Sequence, residues 1–358
     1  QLWLFDDCAW TPDGECITPD KHGVIWHGGE GYKVGERDLE DQEFAAGRPS
    51  MHPGQILVRN ESGDGYRMEP GACEKQDPIT VREFFGEYAE RLYETLGGYD
   101  AWMAIGGTAL YAAMPEVFAQ YSGCGGLCFH GETQQGKSSV ARWQMRWHGF
   151  NRDDGHNVRK ISDVHLAVML NQYSNLIVWI EEFKSDVPVS KQEAIKCCYN
   201  REGGGKWAPG GQRRVRTVPM ITGESTSNDA ATRSRYPHIL VSKARRLTSD
   251  GRPVNWFAWF QKHRAMYYVF GRELLRHRAA FSAEVMRLTE EFRALPDVDG
   301  IEHRAALVYG NVYASFCALE KVFGGPIYPN GRLDEFRKHC VAECLNAVTE
   351  VRTRVNVE

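Results

Sequence analysis

Eight residues near the middle of the chain restrict its possible folds more than any other feature. Gly131-Glu132-Thr133-Gln134-Gln135-Gly136-Lys137-Ser138 matches G-x-x-x-x-G-K-[ST] at every fixed position. A loop of this kind works by turning backbone N–H groups inward on an anion, which glycines permit, and by opening a helix whose N-terminal end adds positive potential. Both flanks suit that demand. Leu127-Cys128-Phe129 is an apolar strand leading in, and no Gly or Pro interrupts the helical stretch from Lys137 to Trp147. Gly131 through Ser139 therefore reads as a polyphosphate cradle. Lys137 supplies charge at the β- and γ-phosphates, and the Ser138 hydroxyl is offered to Mg²⁺.

Such a cradle needs a metal partner on a neighbouring strand. Leu176-Ile177-Val178-Trp179-Ile180-Glu181-Glu182 has the right form, five apolar residues and then two acids at the end where α/β sheets hold ligands. Glu181 is expected to hold hydrated Mg²⁺. Glu182 is expected to point elsewhere and polarise an attacking water. A third strand, Val215 to Thr222, ends in Gly223-Glu224-Ser225, where Glu224 or Ser225 is placed to sense the γ-phosphate. Arg233 and Arg235 precede a strand at His238–Val241 and can reach a neighbouring subunit's nucleotide, Arg235 being favoured.

The expected fold class is α/β, a P-loop core of mainly parallel sheet flanked by helices. Residues 122–250 alternate strand-like runs with helical segments at Lys137–Trp147, Asp163–Gln172 and Ser190–Tyr199. Residues 1–80, rich in Gly, Asp, Pro and Trp, read as an N-terminal module of short strands and loops without a legible role. Residues 81–121 form a helical connector, opened by a Thr80–Glu83 capping pattern. Residues 251–358 form a C-terminal helical region, with helices expected at Trp256–Phe270, Glu273–Leu295 and Ile301–Phe323. The longest uncharged run, Ala101 to Pro115, falls short of the roughly 20 residues that cross a bilayer and reads as a buried helix pair. No membrane association is expected. The chain opens on Gln1 without a leader-like start and reads as part of a longer protein. None of its 10 cysteines forms C-x-x-C, and Cys8, Cys16, His22 and His27 match no common zinc spacing, so reduced thiols and a cytoplasmic setting are expected.

The order of these motifs, all within about a hundred residues, resembles superfamily 3 helicases, the ring-forming AAA+ motors of viruses, phages and plasmids. The likeness is strongest to helicase-like ATPases of phages and mobile elements, through Gly204-Gly205-Lys206 and Ile221-Thr222-Gly223-Glu224. It spans roughly residues 85–325, and the stretch from His303 to Gly324 is similar to their C-terminal helical part. Superfamily 3 motors usually carry Asn at the sensor position, where this chain has Glu224. The resemblance implies ATP as nucleotide, a homo-oligomeric ring such as a hexamer, and catalytic roles for Lys137, Glu182, Glu224, Arg233 and Arg235. It also implies a channel hairpin built from Lys206, Arg213 and Arg214.

Charge supports a local nucleic-acid surface. The whole chain carries −4, yet residues 201–246 hold ten Lys/Arg against three acids, a net +7 that leaves −11 for the rest. Trp207, beside Lys206, could stack a base. The expected function is an ATP-dependent DNA helicase or translocase serving replication of a phage, plasmid or mobile element in a bacterial or phage-infected cell. Single-stranded DNA is its expected partner, with a primase or polymerase as possible company. The alternative is a nucleotide-switched scaffold ATPase of signalling or antiviral defence that unwinds nothing. A P-loop kinase acting on a small molecule is the third reading.

Overall fold

Uninterrupted apolar runs make stable strands only where both faces of the sheet are covered, and the computed structural model places four such runs side by side. It describes residues 2–5, 8–21, 24–33, 80–150, 155–184, 186–201, 215–225, 230–243, 254, 256–301, 303–323, 327–328 and 330–355, with the strands at 55–59 and 66–70. In chain order its strands are β1 (Trp3–Leu4), β2 (Ala9–Trp10), β3 (Cys16–Ile17), β4 (Val24–His27), β5 (Glu30–Lys33), β6 (Gln55–Arg59), β7 (Tyr66–Pro70), β8 (Leu127–His130), β9 (His156–Asn157), β10 (Ser174–Phe183), β11 (Arg216–Gly223) and β12 (His238–Leu240).

The central layer is a five-stranded parallel sheet in the order β12-β8-β11-β10-β9. Leu176 to Ile180 and Val218 to Ile221 are almost wholly buried. Helices flank the sheet, so the α/β P-loop-like class holds. The register brings several strand ends into one row. Phe183 pairs with Gly223, Gly223 with His130, and His130 with Leu240. The next residue of each strand therefore leaves the sheet along one edge, and those residues are Lys184, Glu224, Gly131 and Val241.

Local expectations and structure agree closely around the sheet. The helix at Asp163–Gln172 has Ser162 as its N-cap, and Val81–Leu96 carries the full Thr80–Glu83 capping box. The uncharged run folds as Asp100–Ala109, a 3₁₀ turn and Met114–Tyr121, with Ala101 to Met114 buried throughout. Among the described residues no helix is long and apolar enough to cross a membrane. The C-terminal helices depart from expectation at two places. A break at His263 separates Phe257–Lys262 from Arg264–Arg276, and another at His277 precedes Arg278–Arg293. Both histidines sit near φ −96° to −99°, a turn conformation that no Gly or Pro announces. His303–Val322 then packs on Arg278–Arg293, and Asn330–Val355 closes the chain.

The first residues of the chain belong to the same core as the sheet. Trp3, Phe5, Cys8 and Trp10 are buried in the cluster that holds Phe129 and Ile180. The Asn175 side chain donates to the Leu2 carbonyl at 3.1 Å, and the Trp3 indole donates to the Tyr111 carbonyl at 3.2 Å. Arg278, 2% exposed, lies 4.4 Å over the Trp3 ring. Its guanidinium donates to the carbonyls of Ala112 and Pro12 and pairs with the Glu116 carboxylate.

Because Arg278 joins Trp3, Pro12, Ala112 and Glu116, its truncation strands several polar groups at once. Arg278→Ala is expected to destabilise the chain by about 3 kcal/mol in chemical denaturation. Proteolysis should then reach the segment before residue 20 first. An unchanged midpoint would show that the N-terminal segment is held by its aromatic packing alone.

Candidate nucleotide site

The loop after β8 owes its shape to backbone conformations that few residues adopt. Gly131 has φ 144°, Gln134 φ 62° and Gly136 φ 95°. Gly136 is the N-cap of the helix Lys137–Met145 and offers no side chain to its first N–H groups. Those donors therefore remain available to an anion. The Lys137 ammonium donates to the carbonyls of Gly131 at 2.7 Å and Glu132 at 2.6 Å, which holds it across the loop's interior. Burial lowers its pKa, against the charges of Glu224 and Glu182. The Gln135 side chain turns outward and accepts the Lys243 backbone N–H at 2.7 Å.

A cleft of about 350 Å³ opens at the carboxyl edge of the sheet. Thr133, Gln134, Gly136, Lys137, Ser138 and Ser139 line it from the loop side. Glu181, Glu182, Thr222, Gly223 and Glu224 line it from the strand side. Two consecutive carboxylates on one wall contradict simple strand alternation, by which Glu182 was expected to point elsewhere. The cause lies in the backbone. The β10–β11 register shifts between Ile180 and Phe183, and Glu182 has φ 60°. This irregularity cancels the alternation and brings both acids to the cleft.

Glu224 also reaches this wall. Its carboxylate accepts the Thr133 hydroxyl at 2.6 Å and pairs with the Lys184 ammonium at 2.8 Å. The bond from Lys184, then that from Thr133, lowers the Glu224 pKa, and the bond to Glu224 raises that of Lys184. Ser225, the other sensor candidate, faces a different cleft. Lys184 escaped the sequence reading, since a lone lysine after two acids looks like a solvated strand end. Thr222, likewise missed, accepts the Trp179 indole N–H at 3.1 Å from β10.

The residues fit a hydrated hard cation. Ser138 and Glu181 offer oxygen donors, and Mg²⁺ in such sites takes one or two carboxylates while phosphates and water supply the rest. Among the described residues no group of three or more His, Cys, Asp or Glu could hold a metal by itself.

The two arginines separate. Arg235 is 7% exposed, donates to the Ala231 carbonyl and lies 5.5 Å over the Tyr199 ring. Arg233 is half-buried and lines a second cleft of about 810 Å³ with His130, Ser225, His238, Tyr99 and His339. Burial there holds His238 down to about 3, neutral at physiological pH. The preference for Arg235 as the outward-reaching guanidinium is thus at odds with its placement. Arg233 ends the short helix Ala230–Arg233, whereas Arg235 lies two residues beyond it and closes back on the Ala231 carbonyl. Lys206, Trp207, Arg213 and Arg214 lie outside the described residues.

With this geometry in place, the chain can be compared with known proteins. Its structure is similar to a solved structure described as SCCmec type IV Cch, active helicase, at 13% identity and a TM-score of 0.55. The match covers 97% of this chain and 60% of that one, so this chain spans less than two thirds of its neighbour. A helicase-like fold is what the two share. The NrS-1 C-terminal region in its A-form apo structure matches at 11% identity and TM-score 0.35 over 87% of each chain, too loosely to argue from. No protein-family model matches the chain, and no curated protein matches its sequence.

Two substitutions in the strand ends are expected to move stability in opposite directions. A methyl group at Gly223 would stand 1.8 Å from the Phe183 carbonyl oxygen, so Gly223→Ala should force β10 and β11 apart and lower the denaturation midpoint. Glu182→Gly removes a left-handed penalty and should stabilise the chain by about 1 kcal/mol. Urea titrations of both variants provide the check. A neutral Gly223→Ala would mean that the strand ends are not in contact.

Proposed function

We propose that the chain is an ATP-driven DNA helicase or translocase of the superfamily 3 type, forming a ring, a hexamer by resemblance, that serves replication of a phage, plasmid or mobile element. One observation carries the reading. Lys137, Ser138, Glu181, Glu182 and Glu224 line or enter a single cleft at the carboxyl edge of a parallel sheet. The fold shared with a protein described as an active helicase supports it, as does the basic density of residues 201–246.

The N–H groups of Gly136 to Ser139 and the Lys137 ammonium bind the β- and γ-phosphates. Ser138 and Glu181 would hold Mg²⁺, whose charge offsets that of the phosphates. Glu182, exposed at the cleft mouth, orients the attacking water and takes up its proton. Glu224 stands at the γ-phosphate end as the sensor. Arg233, turned toward the surface, is the better placed of the two arginines to reach a neighbouring subunit's nucleotide. Lys206, Trp207, Arg213 and Arg214 track single-stranded DNA, and a primase or polymerase is a fitting partner in the cytoplasm of the host cell.

Lys137→Ala is expected to abolish ATP hydrolysis. Glu182→Gln should keep ATP binding and lose turnover by roughly a hundredfold or more. Steady-state phosphate release, with and without single-stranded DNA, measures both, and normal release by both variants would refute the site. Replacing Lys206, Arg213 and Arg214 together by Ala should weaken DNA binding on any sequence and reduce the salt slope by up to about 3. An unchanged slope would remove this segment from the DNA path.

A further inference from the structure

The strand ends that border the cleft carry a charge pair of which one member, Lys184, has no part in the proposed mechanism. Phe183 and Gly223 are register partners, so Lys184 and Glu224 leave the sheet side by side. Their contact at 2.8 Å is the distance of a charge-assisted hydrogen bond. By itself a half-exposed pair on adjacent strands contributes little. A third element makes it more than that. Thr133, from the phosphate loop, donates to the other oxygen of the same carboxylate at 2.6 Å. Glu224 thus ties the loop, the β10 exit and the β11 exit together across the mouth of the cleft, and both Thr133 and Glu224 line that cleft.

Each member of this arrangement has a use for a terminal phosphate. Lys184 brings a cation, and Thr133 brings a hydroxyl donor. Glu224 brings a charge that a phosphate oxygen would displace. We propose that Lys184, Glu224 and Thr133 form a clasp that the γ-phosphate opens by taking Lys184 from Glu224, so that the site distinguishes a nucleoside triphosphate from a diphosphate. The inference rests on the reading of the cleft as a nucleotide site and adds Lys184 to it as the discriminating residue.

The test is nucleotide affinity in the full 358-residue chain, measured with fluorescent ADP and a non-hydrolysable fluorescent ATP analogue in Mg²⁺ buffer. Lys184→Met is expected to weaken the ATP analogue about tenfold, the size of one charge-assisted hydrogen bond, and ADP less than about twofold. Lys184→Arg should restore most of the preference. Glu224→Gln, which removes the competitor for Lys184, should tighten the ATP analogue several-fold, and that gain should vanish in the Lys184→Met background. Thermal melts of the variants separate these effects from misfolding. Equal weakening of both nucleotides by Lys184→Met, no effect on either, or a Glu224→Gln gain that persists without Lys184 would each overturn the clasp. If the unaltered chain binds neither nucleotide, or binds both equally well after Lys137→Ala, the fault lies in the nucleotide-site reading and not in the clasp.

Discussion

The molecule is organised by a row of paired backbone residues. Leu240, His130, Gly223 and Phe183 stand in register across four parallel strands. Parallel strands hydrogen-bonded in this way must release their chains from the same edge, at the same level and in a fixed lateral order. The loop beginning at Gly131 therefore emerges beside Glu224, and Glu224 beside Lys184. Hydrophobic burial sets the row in place, because β8, β10 and β11 are apolar on both faces and have a single favourable depth in the core. A shift of one residue in β11 would move Glu224 out of reach of Thr133 and press a side chain against Phe183. The positions of the polar residues are thus consequences of how apolar residues pack beneath them.

Departures from ideal strand geometry do the remaining positioning. A regular β10 would send one of the two acids to each face, and a wall with a single carboxylate would result. The irregularity at Glu182 puts both residues in the lining of the cleft at the expense of backbone strain, a kind of outlier that gathers where geometry serves a site. Gly223 has the complementary part. Its missing side chain lets β11 end against the Phe183 carbonyl, closer than any other residue would allow. One strained residue and one absent side chain, on adjacent strands, shape the acidic wall.

Most of this architecture was legible in the sequence because the signals were local. The apolar run before Gly131 and the one before Glu181 became β8 and β10, and Thr80 capped the helix it precedes. What escaped reading depended on distance along the chain. Strand β9 is only His156–Asn157, a pair without a pattern, defined by its partners in β10. Trp3 and Phe5 sit in a stretch rich in turn-forming residues, and the groups that explain their burial, the main core cluster with Tyr111 and Arg278 against Trp3, lie far along the chain. Lys184 has meaning only once Gly223 is known to pair with Phe183. The burial of Arg235 follows from Tyr199 and Ala231 around it, neither of which the sequence spacing that favoured Arg235 over Arg233 could register.

Charge balance places a further demand on the proposed nucleotide site. Around the cleft stand three carboxylates, Glu181, Glu182 and Glu224, and two ammonium groups, Lys137 and Lys184. Side chains alone therefore present a net negative charge to a ligand that is itself a polyanion. The helix N-terminus at Lys137 contributes roughly half a positive charge, which does not reverse that balance. In the proposed site a triphosphate can settle only if further positive charge enters with it, and Ser138 and Glu181 are the oxygen donors that would receive a hard cation. The acidity that would repel a bare phosphate is the same acidity that selects for its metal complex. On this argument nucleotide affinity should fall steeply when the divalent cation is removed, and more steeply than the loss of Lys184 alone would produce.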